Sequence, residues 1–445
     1  MIRSLVFAVL VSGPWGLNAV AQPTGTFVAT GSMAVAHGGS TATLLQDGRV
    51  LIIGGYDGHA VVASAELYDP ATERFSSAGA MSCPRVGHTA TLLTDGQVLI
   101  AGGSNGCNPS AELYNPSTGT FTSTGSMVDE NQGGHSAILL KDGKVLISGG
   151  VLYPSGVGHA APSLYDPATG MFTPDGDLYG TRYSSTATLL DDGRALLVGG
   201  WRDGDVSAYD PVSRNWMFLA YLPIWGHTST RLSNGTVLII GGLFFTGSDF
   251  YNDYGEESLN TAQIYDPHDL LLRATGSLLQ ARGGHTATLL SSGLVLVAGG
   301  DWNYIHTLAS AELYDPVTGG FADGGGMTVG RSGHTATLLR DGRVLLAGGD
   351  NLGTAELYIP PASALWQQAT IAMQTAAGNN SQNFWQWAWY WQYLSAFQGA
   401  PSGFGVVGSI SPALMEQIIT AGGGDGSQLI SAEQWVLYFR QVIPQ

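Results

Sequence analysis

Polar and apolar positions recur along this chain in one fixed order, seven times over. In the last copy, GHTATLLRDGRVLLAGG at 333–349, residues 334–339 alternate loosely and are rich in Thr and Leu, which predicts a half-buried strand. Asp341-Gly342 follows between two apolar runs, the signal for a hairpin whose two-residue turn has positive φ at its centre. Residues 344–347 are apolar without a break, as suits a strand covered on both faces, and Gly348-Gly349 ends it where backbones come close. A third strand is predicted at Ala-Glu-Leu-Tyr (65–68, 111–114, 311–314 and 355–358), stopped by Asp-Pro or Asn-Pro in the copies that continue. A short fourth strand is predicted around Phe75, Phe121, Phe172, Trp216 and Phe321.

The diglycines fall at 54–55, 102–103, 149–150, 199–200, 241–242, 299–300 and 348–349. The repeat is therefore about 50 residues long, a spacing that belongs to propellers and similar arrays. Four antiparallel strands per repeat make one blade. The expected fold class is all-β, a seven-bladed propeller over 22–360. The seventh copy stops at Tyr358-Ile359-Pro360 without a fourth strand, while TGTFVATGSM at 24–33 matches the fourth strand TGTFTSTGSM of the second copy. The N-terminal strand is thus expected to complete blade seven and close the ring, which removes free sheet edges.

These residues resemble the kelch family of β-propellers. The diglycine, the later Tyr and the aromatic of the fourth strand match its pattern, as does an Arg three residues before the His in Arg85/His88, Arg282/His285 and Arg331/His334. The family's fourth-strand Trp is mostly Phe here. Its members include scaffolds, peptide binders and copper oxidases, so the resemblance implies the fold and leaves the function open. The galactose oxidase branch implies copper held by a Cys–Tyr cross-link, a second Tyr and two His. This chain departs from that branch: no His follows His334, where the branch takes a ligand from a C-terminal domain.

Charge narrows the field of ligands. Charged residues are 11% of the chain, the net charge is −17, and no Lys/Arg run occurs, which excludes a nucleic-acid-binding face. Residues 1–21 read as a secretory signal, with Arg3, an apolar run at 5–11 and Ala19-Val20-Ala21 before Gln22. The run is too short for a transmembrane span, so the expected location is secreted, periplasmic or at the cell surface. The only cysteines, Cys83 and Cys107, fall in adjoining loops of one blade, and a disulfide suits an exported protein.

With the strands of a blade called a to d, the a–b and c–d turns are uniform and share one face. The b–c and d–a connections share the other and vary, and binding usually resides in variable loops on a rigid scaffold. The longest insertion follows Gly242 and carries Phe244, Phe245, Asp249, Tyr251 and Tyr254. Trp201 and Arg202 follow the fourth diglycine, and Trp302, Tyr304 and His306 the sixth. Aromatics among carboxylates suit sugar rings or a basic partner. Arg85, Arg182, Arg282 and Arg331 enter from the d–a side, either to grip a carboxylate partner in bidentate fashion or to pair internally with Glu66, Glu112, Glu312 and Glu356. His88, His135, His227, His285 and His334 hold one repeat position, with Ser40 and Ser185 replacing them twice; a residue repeated round a ring reads as structural, and no metal site is assigned.

After Pro360-Pro361 the rhythm stops. Cap signals predict helices at 363–377, 381–398, 411–421 and 431–442, hence a small Trp-rich helical domain over 361–445 with Trp385, Trp387, Trp389 and Trp391. That tail offers a means of surface association. No convergent catalytic set is present, which weighs against an enzyme and calls for no cofactor. The reading favoured is an exported protein that binds a protein or glycan ligand through the b–c/d–a face. The alternative is an exported oxidoreductase of the copper radical type or another propeller enzyme.

Overall fold

The computed structural model describes residues 24–103, 110–127, 132–152, 161–176, 178, 182–201, 204–245, 256–302, 306–361, 382–383 and 429–430. Seven four-stranded antiparallel sheets form, each an a–b–c–d meander. Blade 1 is Thr41–Leu44, Val50–Ile53, Ser64–Asp69 and Arg74–Ala80. Blade 7 is Thr335–Leu338, Val344–Ala347, Ala355–Ile359 and, as its outer strand, the N-terminal Thr26–Ala29. Thr26 lies opposite Ile359 and Phe27 opposite Tyr358, so the first strand of the chain closes the ring as the repeat requires. The innermost strands touch in succession round the axis, with blade 7 returning to blade 1.

Strand b explains its own sequence. All four residues of Val50–Ile53 are buried, because the strand has a blade on either side. Val50 and Ile52 pack against Leu345 and Leu357 of blade 7, while Leu51 and Ile53 pack against Val98 and Ile100 of blade 2. Each such side chain stabilises by about 1.5–3 kcal/mol when fully buried. The diglycine beyond is forced by proximity: a Cβ on Gly54 would lie 2.6 Å from the Arg85 carbonyl oxygen, and one on Gly55 2.7 Å from that of Gly38.

Two local expectations differ from the structure. In the a–b connection the Gly48 N–H donates to the Leu45 carbonyl (3.0 Å) and the Leu45 N–H to the Arg49 carbonyl (2.8 Å). The turn is therefore centred on Gln46 and Asp47, with Gly48 at φ 93° forming the bulge beyond it, one residue earlier than a two-residue Asp-Gly turn. Asp47 owes its place to its carboxylate, which accepts the Arg49 N–H at 3.0 Å. In the region expected to be helical, Gln382–Asn383 pairs antiparallel with Leu429–Ile430, so no helix runs on from Ser381 through these two residues. The other helix expectations, the leader at 1–21 and the tryptophans of the tail lie outside the described residues.

Candidate functional site

The d–a loops gather round the axis on one face. The Gly39 N–H donates to the Gly333 carbonyl (3.1 Å), Gly134 to Gly87 (3.0 Å), Gly284 to Gly226 (2.8 Å) and Gly333 to Gly284 (3.1 Å), which laces neighbouring blades at the mouth. Just inside it, each repeat histidine reaches back to a threonine of the blade before. His88 Nε2 meets Thr41 Oγ1 at 3.0 Å, His135 meets Thr89 at 3.1 Å, His227 meets Thr186 at 3.0 Å, His285 meets Thr228 at 3.0 Å and His334 meets Thr286 at 2.9 Å. At one serine junction the Ser136 hydroxyl donates to the Ser185 carbonyl at 2.7 Å. These histidines are latches between blades. Burial drives His88, His285 and His334 down to about 3, with the neighbouring arginine of each adding to the shift. His227 falls to about 4 through burial; Ile224 stands where the others have Arg.

The four arginines, read from the sequence either as partner-binding or as internally paired, are internal. Arg85, Arg182, Arg282 and Arg331 are at most 1% exposed. Arg85 pairs with Glu112 at 3.1 Å, Arg282 with Glu312 at 2.8 Å, Arg331 with Glu356 at 2.9 Å, and Arg182 with Asp205. Each of the first three also donates to the carbonyl of the first glycine of its own diglycine: Gly102, Gly299 and Gly348, at 2.8–2.9 Å. A buried guanidinium needs an ionised partner and acceptors close at hand, and held by these, the side chain has no reach to an outside carboxylate. In blade 1, His37 takes the position and meets Glu66 at 3.3 Å.

What stands clear of the scaffold is a pair of added hairpins on adjacent blades. In blade 5 Leu243–Phe245 pairs with Glu256–Ser258, and in blade 6 Asp301–Trp302 pairs with His306–Thr307. They touch where the Ser258 hydroxyl donates to the Asp301 carbonyl at 3.4 Å. Leu243 is buried and anchors the first hairpin through a backbone bridge to Trp225, which leaves Phe244 39% exposed opposite the exposed Glu257. Trp302 is 47% exposed, and its ring stacks on exposed His306 with centroids 6.5 Å apart. The structure thus brings Phe244, Trp302 and His306 onto the protruding elements. Phe245 belongs to the same strand as Phe244. Trp201 is half-buried on blade 4, its backbone N–H donating to the Tyr183 carbonyl at 2.9 Å. Arg202, Asp249, Tyr251, Tyr254 and Tyr304 lie outside the described residues. Cys83 is disulfide-bonded; Cys107 also lies outside them.

Sequence reasoning misses a polar node between blades 6 and 7. The Ser332 hydroxyl donates to Asp301 Oδ2 at 2.8 Å and its N–H to Asp350 Oδ2 at 2.6 Å. Burial, and then the charge of Asp301, raise the Asp350 carboxyl above its ordinary value. It misses exposed Tyr56 on blade 1 too. Both Tyr56 and Asp350 directly follow a diglycine, the same signal that singles out Trp201.

Among the described residues, the solvent-facing Lys and Arg gather on one face. On the a–b/c–d face, Arg49, Lys144, Arg194 and Arg343 pair with carboxylates of the turns. Arg343 spans from blade 7 to Glu73 of blade 1 at 2.5 Å, and Arg194 from blade 4 to the Pro267 carbonyl of blade 5 at 3.3 Å. Arg74, Lys141, Arg214, Arg231, Arg273 and Arg340 lie in or beside the same turns. The seven b–c connections carry eight acidic residues (Asp57, Asp203, Asp249, Asp253, Glu256, Glu257, Asp301 and Asp350), one arginine, Arg202, no lysine, and three histidines, His59, His159 and His306.

The Kelch motif family matches residues 39–82, which span blade 1 from the mouth glycine to the end of strand d. No curated protein sequence matches the chain. Among solved structures, a fungal alcohol oxidase of the AA5 family in complex with copper is similar, with a TM-score of 0.63 and 19% identity over 76% of this chain and 77% of its own. The protein YjhT is similar with a TM-score of 0.51 and 16% identity over 66% of this chain and 98% of its own. At these identities the likeness is one of fold. Among the described residues, the five ring histidines each meet a threonine through Nε2, and no three His, Cys, Asp or Glu side chains gather as metal ligands.

Proposed function

We propose that this seven-bladed kelch-motif propeller is an exported binding protein that takes a protein or glycan ligand on its b–c/d–a face, over the hairpins of blades 5 and 6. One observation carries the reading. Extra hairpins rise on two adjacent blades of one face and display Phe244 and Trp302 to solvent, while the opposite face is stapled blade to blade by its own turn residues. An aromatic exposed on a braced element costs little conformational entropy to bring into contact, and such residues dominate binding energies at interfaces. The ring of His, Arg and Glu that could pass for a catalytic set is consumed in holding blades together.

Glycan and peptide arrays probed with the mature chain identify the ligand. The Trp302→Ala/Phe244→Ala variant is then expected to lose about tenfold or more in affinity with its melting temperature unchanged. An affinity equal to that of the parent would move the site elsewhere. Stoichiometric copper in the purified protein would replace the reading with the oxidase alternative.

A further inference from the structure

We infer that the ligand taken on the b–c/d–a face is cationic, a lysine- or arginine-bearing segment of a partner protein. The inference rests on the proposed use of that face and names the chemistry of what sits there. Its ground is the confinement of the solvent-facing Lys and Arg to one end of the propeller axis, while carboxylates lie at both ends. Among the described residues, every Lys or Arg that reaches solvent belongs to the a–b/c–d face, where the carboxylates of the turns largely neutralise it. On the opposite face the described arginines are buried in ion pairs. The acidic groups there face solvent without that neutralisation: Glu257 beside Phe244 on one hairpin, and Asp350 at the mouth.

A surface of one sign, set on a low-dielectric scaffold, attracts the opposite charge and orients its approach. The exposed aromatics of the same face suit the same guest. Trp302 presents a π-face of the kind that attracts ammonium and guanidinium groups, and Phe244 offers apolar cover for the methylene stems of Lys and Arg. An acidic partner would meet a face without an exposed Lys or Arg among the described residues. The charge asymmetry thus discriminates among ligands that aromatic exposure alone would admit.

The test compares two double variants that change the net charge equally. Glu257→Gln/Asp350→Asn removes two negative charges from the acidic face, and the amide that replaces the Asp350 carboxylate keeps an oxygen for the Ser332 N–H. Val212→Lys/Val317→Lys adds two positive charges to c–d turns on the other face, at positions 92% and 93% exposed. The immobilised mature chain is titrated with a Lys/Arg-rich peptide, its glutamate-rich counterpart and neutral oligosaccharides, and melting curves check each variant's fold. The expected result is binding of the cationic peptide only, weakened by about tenfold as salt rises from about 50 to about 500 mM. The acidic-face variant should weaken it by about tenfold and the control by less than about twofold. Equal weakening by both variants, or binding of the glutamate-rich peptide, would overturn the inference. If a neutral oligosaccharide binds instead and Trp302→Ala abolishes that binding, the cationic ligand is wrong and the binding face stands. If the cationic peptide binds but neither Trp302→Ala nor the acidic-face variant affects it, the binding face is wrong as well.

Discussion

Each blade buries one tyrosine at the end of its third strand, and the fate of its hydroxyl is decided by one residue of the neighbouring blade. Tyr68, Tyr165 and Tyr314 meet Thr30, Thr124 and Thr275 at 2.8–2.9 Å, and the Tyr209 hydroxyl donates to Asp175. Tyr114, Tyr265 and Tyr358 make no such bond among the described residues. The strand pairings show why: the position of that Thr is held by Ala78, Leu219 and Gly324, none of which has a polar side chain. A buried hydroxyl without a partner forfeits a bond worth about 1 kcal/mol net and still bears its desolvation. Ala78→Thr, copying Thr124, should therefore stabilise the protein by about 1 kcal/mol against chemical denaturation. The same change in a Tyr114→Phe background should give no gain. A stabilisation of equal size in both backgrounds would assign the effect to the added methyl group.

At the scale of the element, the Arg, His and diglycine of one repeat form one device with the Glu of the next strand, and the device titrates. The imidazoles of His88, His285 and His334 protonate near 3 when folded and that of His227 near 4, against about 6.5 when exposed. Below about 6.5 the unfolded chain binds protons that the folded chain refuses. Their contribution is complete above that pH and is lost as the pH falls toward 4 and 3, at up to about 1.4 kcal/mol per pH unit for each histidine. Thermal unfolding followed from pH 8 to pH 4 should show this decline. His334→Gln, whose amide can still meet Thr286, should flatten it. A variant curve parallel to the parent's would show that other groups carry the acid sensitivity. The structural role of these histidines was legible in the sequence because they repeat; their partners were not, because each bond joins a histidine to the blade before. The strands, the diglycine and the closure were legible for the same reason of repetition. The hairpins of blades 5 and 6 interrupt the period, so the sequence could mark them as insertions but not show which side chains they present. The Arg–Glu pairs remained one of two readings until their burial was known, since bidentate geometry serves an internal carboxylate as well as an external one.

At the scale of the molecule, the ring depends on one short strand that is far in sequence from everything it touches. Thr26–Ala29 supplies the outer edge of blade 7, and Phe27 packs beside Tyr358 with ring centroids 5.0 Å apart, in a cluster with Leu296 and Leu346. The next connection binds blade 7 to blade 1: the Met33 N–H donates to the Gly353 carbonyl at 2.8 Å, and the Ala34 and Val35 N–H groups donate to Glu66 at 3.0 and 3.1 Å. Removing residues 24–33 therefore uncovers the edge of Ala355–Ile359 and cuts the seam where the two ends of the repeat array meet. An unpaired edge is a template for pairing with other chains. The truncated protein should aggregate or melt well below the parent, and Phe27→Ala alone should cost about 3 kcal/mol. Supplying a peptide of residues 24–33 in trans should raise the melting temperature of the truncated chain, because the strand's contacts survive without its covalent link. A peptide with Phe27 replaced by Asp should not. If the truncated chain melted like the parent without any peptide, blade 7 would be stable with three strands and ring closure would rest on the innermost strands alone.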